Sequence, residues 1–193
     1  MSETTEEYLR AHTVGELKPL DGSIQLVDYD AAWPCRFEAE AGRIRTALGA
    51  RALGARALRI EHVGSTAVPG LAAKPIIDIV LEVADSANEA DYGALLEEAG
   101  YRLRVREPEW YEHRSFKSVA KDVNLHVFSA GCPETDRMVT FRDWLRTHAD
   151  DRELYARAKR ELAQRQWKYT QNYADAKTGV VEEILWRARA GSA

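Results

Sequence analysis

The chain has 193 residues, 45% hydrophobic and 30% charged, which describes a globular domain with enough length for a continuous core. Its formal charge of −4 and pI near 5.8 give no general attraction to nucleic acid or to an anionic membrane, so a polyanion would need a local basic patch. Cys35 and Cys132 lack metal-ligand spacing, and no run of eighteen apolar residues or signal peptide is visible, so a reduced cytoplasmic protein is expected.

Residues 1–22 are polar and acidic, with Glu3, Glu6 and Glu7, and read as a flexible or loosely docked extension; residues 23–190 read as one domain. Ser23 to Tyr29 alternates as a short strand. Asp30 to Leu48 reads as a helix, with Pro34 in its first turn and Trp33, Phe37, Ala41, Ile44 and Leu48 at helical spacing.

Two β-branched runs follow, Ala57 to Val63 and Ile76 to Val83, joined by a loop too elaborate for a hairpin turn. In that loop Gly64-Ser65-Thr66 offers a backbone open to close approach, two hydroxyls and the start of a short helical turn, and Lys74 adds a positive charge. An ordinary turn with hydroxyls bonded to their own backbone would have the same composition. Asp78 sits among Ile, Val and Leu, where a carboxylate needs a cation, a metal or several hydrogen bonds. Strand alternation puts Asp78, Val80 and Glu82 on one face and Ile77, Ile79 and Leu81 on the other, so two carboxylates share a face.

Farther on, Ser86-Ala-Asn-Glu89 has the form of a capping box opening a helix to Ala99, which Gly100 closes. Tyr101 to Val105 is expected as a strand. His113 to Val119 and Asp122 to Ser129 form an expected hairpin turning at Ala120-Lys121, with Asn124, His126 and Phe128 on one face of its second arm. Helices are expected over Pro133–His148, from the cap at Asp150 to about Thr170, and from Asn172 to about Arg189. Their basic residues include Arg142, Arg146, Arg157, Lys159, Arg160, Arg165, Lys168 and Lys177, interleaved with acids as on a solvated face. The fold expected from this order is α/β, with a mixed central sheet of about five strands flanked by helices and a helical C-terminal part.

The string from His62 through Gly64-Ser65-Thr66 and Lys74 to Asp78 closely resembles the signature of the GrpB-like family, placed in the nucleotidyltransferase-fold superfamily. The likeness continues through Leu125-His126-Val127, Phe141 to Arg146, Tyr155 with Lys159, and Tyr173 with Lys177, and covers about residues 23 to 189. The resemblance implies a Gly-Ser loop for phosphates and carboxylates that hold divalent metal. Val80 stands at the position of the second acid of that pattern, and His126 at the third.

On this basis Asp78, Glu82 and His126 are the candidate catalytic residues, and Asp78 with His126 the candidate metal ligands. Gly64, Ser65, Thr66 and Lys74 are the candidate phosphate-binding set, and His62, Arg114, Arg142 and Lys177 the candidate substrate contacts. The implied function is a nucleotidyltransferase-like enzyme acting on a small molecule with ATP or another nucleoside triphosphate and Mg²⁺ or Mn²⁺, with Zn²⁺ as the alternative that imidazole favours. ATP-dependent ligase-type activation, a non-catalytic nucleotide or anion-binding module, and metal-dependent chemistry without nucleotide fit the same residues. No membrane contact is expected, and nucleic acid is not the expected partner.

Overall fold

A computed structural model describes residues 4–49 and 57–191. Residues 1–3 of the N-terminal segment lie outside the described residues. The elements are α1 (Glu6–His12), α2 (Trp33–Gly49), β1 (Arg59–Val63), β2 (Ile77–Val83), α3 (Gly93–Glu98), β3 (Tyr101–Glu107), β4 (His113–Ser118), β5 (Val123–Ser129), α4 (Pro133–Thr147), α5 (Ala149–Ala163), α6 (Thr170–Asp175) and α7 (Thr178–Ala190).

The five strands form one mixed sheet in the order β1-β2-β5-β4-β3. Only β2 and β5 run parallel, and their register sets Asp78 beside Asn124 and Val80 beside His126. Ile77, Ile79 and Leu81 of β2, with Val123, Leu125 and Val127 of β5, point to the face covered by α2 and α3. There they pack with Trp33, Ile44, Leu48 and Leu96, which recur at helical spacing because α2 and α3 each lay one apolar stripe on the sheet. Each such side chain contributes roughly 1.5–3 kcal/mol on burial. The opposite face is covered in part by α4, through Val63, Val80, Phe128 and Cys132 packed with Met138 and Val139. The same face carries Asp78, which pairs in register with Asn124, and Lys159 of α5 reaches the Ser65 hydroxyl of the loop ahead of it.

Several local expectations are corrected. Ser23 to Tyr29 is not a strand, because Val27 pairs with a loop residue: its N–H and C=O are exchanged with Ala73 at 2.9 Å each. Ser86 does not cap a helix, since its hydroxyl is spent on Ser129 Oγ at 3.0 Å and Glu89 is taken by Arg106 and Arg114. A short 3₁₀ turn at Glu89–Asp91 precedes α3 instead. The second C-terminal helix stops at Ala163, where Trp167 Nε1 caps the Leu162 carbonyl at 2.8 Å. The third is split into α6 and α7 around Ala176 and Lys177, with Tyr169 and Asn172 capping α6 reciprocally.

The β4–β5 turn falls where the sequence puts it. Lys121 adopts φ 63° there, and Ser118 Oγ accepts from the N–H groups of Asp122 and Val123 at 3.1 Å each.

The N-terminal segment is tied at both ends. Val14 N–H donates to Arg104 at 2.8 Å and Leu20 N–H to Lys168 at 2.8 Å, while Tyr8 of α1 reaches Glu107 of β3 at 3.0 Å.

Candidate functional site: a lysine-lined cleft over Asp78

Gly64 begins the loop between β1 and β2 at φ 70°, ψ −169°, a conformation open essentially to glycine. The reason is Asp78 itself. A Cβ on Gly64 would lie 2.5 Å from Asp78 Oδ2, so the carboxylate rests directly against the Gly64 backbone. Its other oxygen, Oδ1, accepts from Asn124 Nδ2 at 2.7 Å across the parallel β2–β5 pair.

Three lysines act on this carboxylate, Lys74, Lys117 and Lys177, and a fourth, Lys159, stands beside Lys177 and against the Ser65 hydroxyl. Lys74 comes from the loop before β2, Lys117 from β4, Lys159 from α5 and Lys177 from the α6–α7 junction. Among the described residues none of the four forms an ion pair with a carboxylate. Lys74 and Lys177 both lie over the Tyr173 ring, at 5.7 and 4.7 Å from its centroid. Lys159 is 2% exposed, donates to Ser65 Oγ at 3.0 Å and to the Ala72 carbonyl at 2.5 Å, and lies over the Tyr155 ring.

Burial and the neighbouring cations hold these ammonium groups below their ordinary range. Burial, then Lys177 and Arg160, brings Lys159 to about 7. Burial also lowers Lys74, with Lys177 adding to it; Lys117, an exposed side chain, is lowered by the partial burial of its stem and then by Lys74. For Lys177 burial dominates and Asp78 opposes it. The Tyr173 hydroxyl closes this side and is buried without a hydrogen-bond partner among the described residues.

His126 lies on the same sheet face, two register positions along from the Asp78–Asn124 pair. Its Nδ1 is 3.0 Å from His113 Nε2, and His113 Nδ1 is 2.7 Å from Glu107 Oε2, so three side chains form a line across β5, β4 and β3. Burial, reinforced by His113, brings the His126 pKa down to about 4.

The other expected site residues divide between this cleft and elsewhere. Ser65, Lys74 and Lys177 reach it. Thr66 does not: its buried hydroxyl donates to the Ile76 carbonyl at 3.3 Å and pairs with His62 Nε2 at 3.0 Å. His62 points to the opposite face, its ring stacked on Phe37 at 4.8 Å, with burial bringing its pKa to about 4. It borders a cavity of about 450 Å³ between α2, β1 and α4, whose walls include Arg142 and Arg146. Arg142 is committed there to Glu61 at 2.7 Å, the His62 carbonyl at 2.9 Å and Asp143 at 2.8 and 3.0 Å. Arg114 is likewise held by Glu89 at 2.6 Å and Glu112 at 3.2 Å. Glu82 is four residues from Asp78 along β2, about 13 Å at the usual rise, and its nearest cation is Arg59 at 3.9 Å.

These positions test the donors available to a divalent metal. Among the described residues no three His, Cys, Asp or Glu side chains surround a common point. Asp78 and His126 supply at most two donors, beside lysines that repel a cation. The protein alone does not build a metal cage here; a single carboxylate suits Mg²⁺ only when phosphate oxygens complete the shell.

Lys117, Lys159, Tyr155, His113 and Glu107 were not among the expected site residues. The four-residue spacing of Tyr155 and Lys159 put both on one face of α5, and the β4–β5 register brought His113 toward His126.

A mixed sheet with a Gly-Ser loop ahead of a carboxylate-bearing second strand is the scaffold of the nucleotidyltransferase-like superfamily. Residues 23–187 match the family described as GrpB protein, and the chain belongs to that family. It is 58% identical over 186 residues to a UPF0157 protein of Halalkalibacterium halodurans, covering 96% of this chain and 93% of the relative. It resembles the crystal structure of conserved protein GrpB from Enterococcus faecalis with a TM-score of 0.72 at 29% identity, over 85% of this chain and 96% of that one. It is also 32% identical over 181 residues to a dephospho-CoA kinase of Mycolicibacterium paratuberculosis, covering 80% of this chain and 43% of the kinase.

Among the described residues no helix is long and apolar enough to cross a membrane.

Proposed function

We propose that the protein binds a nucleoside triphosphate by its phosphates in the lysine-lined cleft over Asp78 and acts as a nucleotidyltransferase-like enzyme on a small-molecule acceptor. The observation that carries this is the set Lys74, Lys117, Lys159 and Lys177, four lysines without ion-pair partners among the described residues, three of them acting on Asp78 and the fourth beside Lys177 and Ser65. Like charges that repel one another, Lys159 buried, Lys74 and Lys177 half-buried and Lys117 exposed at the edge, are an arrangement a bound polyanion stabilises. Ser65 and the orphaned Tyr173 hydroxyl add neutral donors to the same ligand. The likeness to part of a dephospho-CoA kinase agrees with a phosphorylated ligand.

In this reading the lysines neutralise charge that the superfamily's second and third carboxylates would otherwise manage through metal. A Mg²⁺ or Mn²⁺ ion carried by the nucleotide would be held by phosphate oxygens and Asp78, and would supply Lewis-acid chemistry there. A second reading, a nucleotide- or anion-binding module without chemistry, is favoured by Val80 in place of an acid and by the distance of Glu82.

The test is calorimetry at low ionic strength with inorganic triphosphate and with ATP, GTP, CTP and UTP, each with and without Mg²⁺, followed by product analysis with candidate acceptors. Saturable triphosphate binding that weakens steeply with salt is expected. No binding of any of these ligands under these conditions would sink both readings, and binding without turnover would leave the module.

A further inference from the structure

We propose that the cavity between α2, β1 and α4 is a binding site for a short peptide with free ends, which adds to the edge of β1 at Ile60 and lies between Glu38 and Arg45. The inference goes beyond the function above and does not depend on it, because none of the cavity's lining residues belongs to the lysine cleft.

The strand edge supplies the backbone contact. β1 is the outermost strand of the sheet and pairs with β2 alone among the described strands. In an antiparallel pair every second residue turns its N–H and C=O toward the neighbouring strand, and the residues between turn theirs away. The His62 carbonyl is one that turns away, since it accepts from Arg142 Nη1 of α4 at 2.9 Å. Ile60, two residues back, has the same outward orientation, and it lines the cavity. Its N–H and C=O offer one donor and one acceptor to a chain laid alongside, which is how a peptide extends a sheet.

Charge complementarity supplies the ends. Arg142 and Glu61 on the cavity wall are paired with one another at 2.7 Å, and Arg146 is committed to the Ala67 carbonyl at 2.9 Å and to Asp143 at 3.1 Å. Glu38 and Arg45 are different: both are exposed, both line the cavity, and neither has a hydrogen bond or ion pair among the described residues. They stand seven residues apart on α2, so they share one helix face and lie about 10 Å apart along the axis. A free ammonium group at Glu38 and a free carboxylate at Arg45 are spanned by about two to three extended residues, at roughly 3.3–3.6 Å each.

The middle of the cavity suits the side chains of such a peptide. Phe37, Ile60 and Pro69 form an apolar wall, and Phe37 is held in place by its stack on His62 at 4.8 Å. The volume of about 450 Å³ lies within the range of roughly 300–1,000 Å³ usual for small-ligand sites.

The experiment is amide NMR of ¹⁵N-labelled full-length protein titrated with trivaline, N-acetyl-trivaline, trivaline amide and ω-aminoheptanoate, the last carrying both end charges without peptide groups. Trivaline is expected to shift the Ile60 amide resonance saturably. Blocking the ammonium or the carboxylate of the peptide should weaken binding about tenfold, the loss of one charge-assisted contact, and so should Glu38→Gln and Arg45→Met, with triphosphate affinity unchanged. The aminoheptanoate should bind more weakly and leave Ile60 unshifted. Absence of a saturable Ile60 shift up to the solubility limit of trivaline overturns the site. Undiminished binding of both end-blocked peptides overturns the charge assignment on the wild-type protein, whether or not the variants fold, and an aminoheptanoate that binds as well as trivaline overturns the peptide class. Absence of triphosphate binding would strike the lysine cleft alone.

Discussion

Gly64 and Asp78 are in such close contact that a methyl group on the glycine would collide with the carboxylate, 2.5 Å from Oδ2. Gly64→Ala therefore suffers twice, from a backbone at φ 70° and ψ −169° and from the displacement of Asp78. A loss of about 3 kcal/mol in urea unfolding is expected, together with weakened triphosphate binding. Unchanged stability would show that the loop relaxes without the carboxylate's help.

Asp78→Asn removes the carboxylate that acts on Lys74, Lys117 and Lys177 while keeping the partner amide of Asn124 within reach, since either amide can present an oxygen. Apo stability is expected to fall by roughly 1–3 kcal/mol as the lysines lose their counter-charge. Inorganic triphosphate affinity is expected to rise several-fold and turnover to vanish. Weaker binding of metal-free triphosphate in this variant would contradict the charge assignment.

Lys74→Met and Lys177→Met are each expected to weaken triphosphate binding about tenfold, with a shallower salt dependence and an intact fold, as for a charge-assisted contact worth roughly 1.5–3 kcal/mol. Arg142→Met should behave in the opposite way. Its guanidinium already satisfies Glu61, Asp143 and the His62 carbonyl, so its loss destabilises the protein by about 3 kcal/mol and leaves the affinity unchanged. Titration calorimetry with chemical denaturation on the same samples separates the two patterns.

Lys159 gives the cleft a pH signature. Its ammonium is brought to about 7 in the folded protein but titrates near 10.5 when unfolded, so between these values the unfolded chain binds more protons and stability rises with pH. The strain is complete below pH 7 and relieved by pH 10. A bound polyanion reverses it by returning the proton, so triphosphate binding at pH 8.5 should take up protons and should weaken as the pH rises to 10. Calorimetry in two buffers of different ionisation enthalpy reads the uptake directly; a variant Lys159→Met should abolish it.

Much of the fold was legible because its signals are local. The apolar spacing from Trp33 to Leu48 and the alternation through Ile77 to Val83 each arise within one element, and both elements stand where the spacing puts them. The strand expected over residues 23–29 failed because its pairing partner, Ala73, is a loop residue that no alternation announces. At the site, Asp78 stood out as a charge in an apolar strand, and Ser65, Lys74 and Lys177 were legible from the family likeness. Lys159 reads as an ordinary solvated charge and nothing in the sequence marks Lys117, because the meaning of both depends on what is absent around them. Arg142 and Arg114 misled for the converse reason: a sequence shows a free guanidinium, and only the packed structure shows its partners.

The Asp78–Asn124 hydrogen bond joins positions 46 residues apart, and the Lys159–Ser65 bond joins positions 94 apart. Contacts of such separation must overcome loop-closure entropy before they are rewarded, so the cleft belongs to the late, slow part of folding. In chain order β2 precedes its parallel neighbour β5 by the whole of α3, β3 and β4. Lys159 and Lys177 arrive later still. A nascent or truncated chain lacking α5 to α7 would therefore carry the Gly-Ser loop and Asp78 without the cations around them, so polyphosphate binding reports a finished molecule rather than a folded sheet.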